Sequence, residues 1–162
     1  MSLANSDVVS IDTETFSGVP DELRQASPHD IRRMIREERF DGNTSGFSLG
    51  FLQGNLAILP AEYAMDFQRY CQRNPKPCPL VGVSDTGEPA LPTLGRDIDI
   101  RTDIPSYNVY RGGELAEQTT NITDLWQDDF VSFIIGCSYT FENALMAEGV
   151  SLRHIDEDKT VS

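Results

Sequence analysis

A chain of 162 residues, 39% apolar and 24% charged, carries enough apolar surface to close one core without a metal or disulfide framework. Its 26 acidic residues outweigh 13 basic ones, and the resulting net charge of −13 repels phosphate backbones and anionic membranes, which argues against nucleic acid and lipid surfaces as partners. Three cysteines (Cys71, Cys78 and Cys137), with no C-x-x-C pair, argue against a disulfide scaffold and a structural zinc site, and favour a reducing compartment, the cytoplasm.

The first 20 residues have neither a basic n-region nor an apolar h-region, and read as a polar, disordered leader. Residues 21–162 then read as one globular region. "SPHDIRRMIREERF" (27–40) opens with helix-start chemistry: Ser27 as N-cap, Pro28 at the first helical position and Asp30 at the third. Ile31, Met34 and Ile35 mark its apolar stripe, and Arg32, Arg33, Arg36 and Arg39 read as a solvated basic face. Gly42, Gly46, Gly50 and Gly54 recur every fourth residue without the lysine of a phosphate loop, so turns or close packing compete with a backbone cradle for a small ligand.

"NLAIL" predicts a short strand ending at Pro60, and "AEYAMDFQRYCQR" a helix with Tyr63, Ala64, Phe67, Tyr70 and Cys71 along one stripe. That helix stops near Arg73, because Asn74 precedes a proline. In "RNPKPCPL" Asn74, Lys76 and Cys78 alternate with prolines, which predicts a stiff extended crossing or a site wall presenting those side chains. "LVGVS" predicts a strand, and residues 83–122 a loop-and-hairpin sub-region. In it "DIDIRTDIP" alternates like a half-buried strand with Asp97, Asp99, Arg101 and Asp103 on one face, and Gly112-Gly113 predicts a tight primed hairpin turn. "TDLWQDDFVSFIIG" predicts a helix capped by Thr123 with Trp126, Phe130, Phe133 and Ile134 on one face. "GCSYTFENALMAEG" predicts a helix ending at Gly149, and "VSLRHI" a further strand. The sum is a layered α/β domain with a mixed sheet and α+β features.

Chemistry concentrates in three places. At the start of the helix after Gly136, Cys137 and Ser138 meet the positive end of the dipole, with Glu142 about one turn on as a proton carrier; a simple cap with a buried filler cysteine is the alternative. On the predicted strand, Arg101 either pairs with Asp99 and Asp103 or offers a fork to a substrate carboxylate, and Asp99 and Asp103 are oxygen ligands suited to Mg²⁺ or Mn²⁺; a charged face that is simply wet is the alternative. His154 reads either as a proton shuttle or as a hydrogen-bonded structural histidine, while His29 reads as a surface residue.

Five stretches in order, "NTSGFSLGFLQGNLAILP", "DFQRYCQRNPKPCPLVGVSDTGEP", "DIDIRTDIP", "DLWQDDFVSFIIGCSYTFENAL" and "LRHI", make residues 30–162 resemble the bacterial hydro-lyase family grouped with the D-glutamate cyclases. The resemblance implies an α/β architecture that continues past Ser162, and a lyase that removes water from a small carboxylate or amino acid, such as D-glutamate closing to 5-oxoproline. It also implies a divalent cation, Mn²⁺, for which Asp99 and Asp103 are the matching ligands here. Glu142, His154 and Cys137 are then the catalytic candidates, and Arg101, Ser138, Asn74 and Lys76 the substrate-binding ones. A non-catalytic module for small anions is the competing reading, and a homo-oligomer is left open.

Overall fold

The computed structural model describes residues 17–159; residues 1–16 of the predicted leader lie outside the described residues. The chain forms helices α1 (Asp21–Gln25), α2 (Pro28–Arg36), α3 (Ala61–Arg73), α4 (Tyr139–Ala147) and α5 (Arg153–Asp156). Between them run strands β1 (Gly54–Pro60), β2 (Leu80–Val83), β3 (Tyr107–Arg111), β4 (Glu114–Thr119) and β5 (Phe130–Gly136). The main sheet has the order β1-β5-β2, with β5 antiparallel to both neighbours, and β3-β4 form a separate antiparallel hairpin. The α/β class holds in its α+β form. No helix among the described residues is long and apolar enough to cross a membrane.

Local codes account for several elements. The Asp30 backbone N–H donates to Ser27 Oγ at 3.1 Å, and the Ser27 hydroxyl donates back to Asp30 Oδ2 at 2.8 Å, a reciprocal cap on α2. Gly112 and Gly113 have φ values of 58° and 86°, the left-handed pair that a two-residue primed hairpin turn requires. Helix α4 ends in a Schellman motif: Val150 N donates to Leu145 O and Gly149 N to Met146 O, both at 3.0 Å, with Gly149 at φ 75°. Two of the periodic glycines, Gly46 and Gly50, sit at positive φ in turns. A Cβ on Gly54 would lie 2.8 Å from the Ile135 carbonyl, so this glycine lets β1 close on β5.

The apolar side chains divide into two groups. Val19 and Leu23 join Ile31, Met34, Ile35, Phe40 and Phe47 around α1 and α2. Val19 thus packs although it falls within the stretch read as a leader, and Ser17 there bonds Asp158 through its N–H at 2.8 Å. The second group, Leu91, Ile100 and Ile134 with Leu56, Val81, Leu94, Ile98 and Trp126, covers one face of the main sheet. Helix α3 covers the other face, its Phe67 ring meeting Phe133 edge-on at 5.0 Å. A three-stranded sheet is too narrow to cover the whole predicted stripe of α3: Phe67 and Cys71 turn inward, while Tyr63 and Tyr70 stay exposed.

Four predicted elements come out differently. "FVSFIIG" is not helical: only Thr123–Leu125 form a short 3-10 turn, and Phe130–Gly136 is the central strand. A strand buried on both faces loses its alternation, and the spacing of Phe130, Phe133 and Ile134 mimicked a helix by coincidence. "DIDIRTDIP" is a loop of turns rather than a strand; Thr102 N and Asp103 N both fold back to Asp99 O, and Asp103 points into the protein. "LRHI" contributes to α5 instead of a strand. The proline ladder is a compact turn: Cys78 N donates to Asn74 O at 3.0 Å, so the segment folds back after α3 before Pro79 reaches the sheet.

Candidate functional site

The start of α4 is held by a latch from the loop before β1. Gln53 N donates to Thr140 Oγ1 at 3.0 Å, the Thr140 hydroxyl donates to Gln53 O at 3.2 Å, and Cys137 N donates to the same carbonyl at 3.2 Å. The Gln53 side-chain amide in turn donates to Phe47 O at 2.6 Å, tying the latch to the α1–α2 core. Neither Gln53 nor Thr140 stood out in the sequence, because a hydroxyl and an amide 87 residues apart leave no local signature.

On the other side of α4, Ser138 does not cap the helix; its backbone is already helical and its hydroxyl donates to Glu142 Oε1 at 2.6 Å. Glu142 is the one buried residue of α4, 7% exposed. Its Oε2 lies 3.1 Å from His154 Nε2 on α5, an ion-pair separation whose alignment falls short of a hydrogen bond. The Tyr139 ring stands edge-on to the imidazole at 6.1 Å. The structure therefore brings Ser138, Glu142 and His154 together, two members separated by one helical turn and the third delivered by the bend after α4.

The amide cradle anticipated at this helix start is partly spent. Thr140 N turns to Cys137 O, while Phe141 N and Glu142 N turn to Ser138 O. Cys137 stays half-buried beside Gly136, whose N–H donates to Pro79 O at 2.8 Å, so the proline turn ends against the same strand terminus. The other ladder residues face elsewhere. Asn74 donates its side-chain amide to Tyr70 O at 2.8 Å and closes the end of α3, and Lys76 is exposed. Burial, reinforced by the neighbouring Cys78 thiol, pushes the Cys71 thiol up.

Arg101, Asp99 and Asp103 form a different assembly. Arg101 lays its fork on Asp99, Nε to Oδ1 at 2.8 Å and Nη2 to Oδ2 at 2.7 Å. Buried Asp103 is gripped from α2: Arg36 Nε reaches Oδ1 at 2.8 Å and Nη2 reaches Oδ2 at 2.9 Å, with Arg32 Nε 3.6 Å away. Arg36 also donates to Asp97 O and Oδ2, and His29 stands 3.6 Å from Asp97. The predicted solvated basic face is thus corrected for Arg32 and Arg36, which tie α2 to the 96–104 loop.

Against known proteins, the model of the D-glutamate cyclase family matches residues 131–162, the stretch that carries β5, α4 and α5. A Dinoroseobacter shibae protein named "Putative hydro-lyase" is 58% identical over 144 residues, which are 89% of this chain and 48% of the relative. A Ruegeria pomeroyi protein of that name is 58% identical over 87% of this chain and 51% of its own length. For one from Verminephrobacter eiseniae the values are 51% identity, 94% and 55%. By sequence the chain is similar to curated bacterial hydro-lyases along most of its length and to the D-glutamate cyclase family over residues 131–162. The chain spans about half the length of these curated hydro-lyase relatives.

The divalent cation implied by the cyclase resemblance does not fit the residues first assigned to it. Both Asp103 oxygens and both Asp99 oxygens already accept from guanidinium groups, so a cation between them would sit among Arg32, Arg36 and Arg101. Among the described residues no group of three or more His, Cys, Asp or Glu side chains is arranged to hold a metal. The same pairing sets a pH dependence. The Arg101 hydrogen bonds hold the Asp99 carboxyl below its ordinary range despite the opposing pull of partial burial. A depressed folded-state value contributes stability above the unfolded carboxyl's value, about pH 4, and loses it as pH falls through the folded value. Urea midpoints measured from pH 6 down to pH 2 should therefore fall less steeply for Asp99→Asn than for the parent chain.

Proposed function

We propose that this chain carries acid–base machinery of a lyase that removes water from a small carboxylate or amino acid, with Glu142 and His154 as the proton-transfer groups and Ser138 as the residue that orients Glu142. The observation that carries the reading is a buried carboxylate placed between a serine hydroxyl and an imidazole. Burial between these two polar partners keeps bulk water from competing for the proton, and a carboxylate and an imidazole are both able to accept and donate one. Ser138 fixes one carboxylate oxygen, which leaves Oε2 and the imidazole as the exchanging atoms.

For D-glutamate, the substrate suggested by the family name, closure forms a bond between the amine nitrogen and the side-chain carboxyl carbon and breaks one carbon–oxygen bond. Two protons leave the ammonium group and depart with that oxygen as water. Glu142 would take one proton from the nitrogen while His154 gives one to the leaving oxygen; passage of the proton from Oε2 to Nε2 then resets the pair, and the second proton follows the same route. Arg101 is already closed on Asp99, so it clamps a substrate only if that pair opens.

The test is to incubate the protein with D-glutamate and with a panel of hydroxy acids and to follow loss of water by mass. Glu142→Gln keeps the serine contact but cannot accept a proton as a carboxylate does; turnover should fall by about a hundredfold or more. His154→Asn should act in the same direction. Turnover by Glu142→Gln equal to the parent would rule out this assignment. A ligand that raises the melting temperature with no product on long incubation would favour the small-anion-binding alternative.

A further inference from the structure

Two of the three cysteines stand together at the junction of α3 and β2. Cys71 sits in the last turn of α3, 1% exposed, and the half-buried Cys78 closes the proline turn; the Cys78 thiol is in side-chain contact with the Cys71 thiol. Hydrogen bonds along the turn fix this approach. Asn74 N donates to both Tyr70 O and Cys71 O at 3.1 Å, the Asn74 side-chain amide donates to Tyr70 O at 2.8 Å, and Cys78 N donates to Asn74 O at 3.0 Å. Pro75, Pro77 and Pro79 remove most of the remaining backbone freedom. Pro79 O accepts from Gly136 N at 2.8 Å, which anchors the far end of the turn on β5.

A buried cysteine ordinarily packs among apolar groups and does not react. A second thiol against it opens another chemistry. The loop that a disulfide would close is already closed by the hydrogen bonds and prolines, so forming the bond costs little further chain entropy. We propose that Cys71 and Cys78 are a redox-active dithiol, oxidised by hydrogen peroxide to an internal disulfide and restored by a dithiol reductant. The half-buried Cys78 reacts first: its sulfur takes one peroxide oxygen as the O–O bond breaks, giving a sulfenic acid and one water. The Cys71 sulfur then attacks the Cys78 sulfur, the S–O bond breaks, and the departing hydroxide takes the Cys71 proton and leaves as a second water. Two thiols and one peroxide thus give one disulfide and two waters. Burial holds Cys71 in its thiol form, so it does not react until the sulfenic acid forms beside it.

The experiment exposes the folded protein to hydrogen peroxide, blocks the remaining thiols with iodoacetamide and maps tryptic peptides without reduction. Trypsin cuts after Arg69 and Arg73 but not between Lys76 and Pro77, so the two cysteines fall on separate peptides, 70–73 and 74–96. The expected result is a linked pair of these peptides that lacks two hydrogens relative to the separate thiols, with Cys137 recovered alkylated. Dithiothreitol should return both peptides as free thiols. Cys71→Ala removes the resolving thiol, so dimedone trapping of the Cys78 sulfenic acid should rise by about tenfold or more over the parent. The peptide map of the parent decides the matter even if the variant fails to fold. The proposal is overturned if peptides 70–73 and 74–96 stay unlinked after peroxide, or if Cys137 is the partner in the link. It is equally overturned if dimedone labels Cys78 as heavily in the parent as in a folded Cys71→Ala. No turnover is measured, so the outcome is independent of the acid–base assignment.

Discussion

Arg36→Met should lower the stability of the fold by about 3 kcal/mol, the lower end of the range for leaving a buried ion without its partner. Asp103 is 3% exposed, and Arg36 supplies both of its bidentate contacts; the next cation, Arg32, stays 3.6 Å away and gives partial compensation. The substitution keeps the apolar stem of the side chain, so lost packing is a minor part of the effect. Asp97 also loses its two contacts with Arg36, but its side chain is more than half exposed and water replaces them at little cost. Urea unfolding should show a lower midpoint with an unchanged slope.

Asp103→Asn at Arg36's partner should cost less, since the guanidinium left behind is one third exposed and can hydrate. If Arg36→Met unfolded at the parent's urea midpoint across pH 5–8, the ion pair would have no structural weight.

Phe133→Ala should cost about 3–5 kcal/mol, the range for truncating a fully buried phenylalanine. Phe133 is 0% exposed in the central strand, opposite Ala57 on one side and Val83 on the other, and it carries the edge-on contact with Phe67 that seats α3. No neighbour can fill the space: the strands on both flanks are tied by the β1-β5-β2 ladder, and the residue opposite on β1 is an alanine. Phe67→Ala, at a partly exposed position, should cost less. A double-mutant cycle between the two rings should return about 0.5–1.5 kcal/mol of coupling. Additivity of the two changes would mean that α3 is not seated by this contact.

How much was legible follows from how far apart the interacting residues are. The Ser27–Asp30 cap, the Gly112-Gly113 turn, α3 and the Gly149 end of α4 were all readable, because each depends on residues within a few positions. Ser138 and Glu142 are legible together for the same reason, although the serine donates to the carboxylate instead of capping the helix. His154 is legible by its chemistry alone; nothing in its sequence neighbours indicates that α5 delivers it to Glu142. The charged "DIDIRTD" stretch misled because alternation of Asp and Ile reads as a wet strand face when its partner is out of sight. That partner, Arg36, lies 67 residues earlier.

The sequence by itself determined the Ser27–Asp30 cap, the Gly149 helix end, the hairpin turn and the α/β class, since propensity, capping and side-chain chemistry act over one or two turns of chain. Only the tertiary structure decided that Phe130–Gly136 is the middle strand between β1 and β2, and that Asp103 is buried on Arg36. It alone placed His154 against Glu142. Those outcomes rest on burial and pairing between distant segments, where a buried strand loses its alternation and a charge is solvated or buried according to whether its counter-ion arrives.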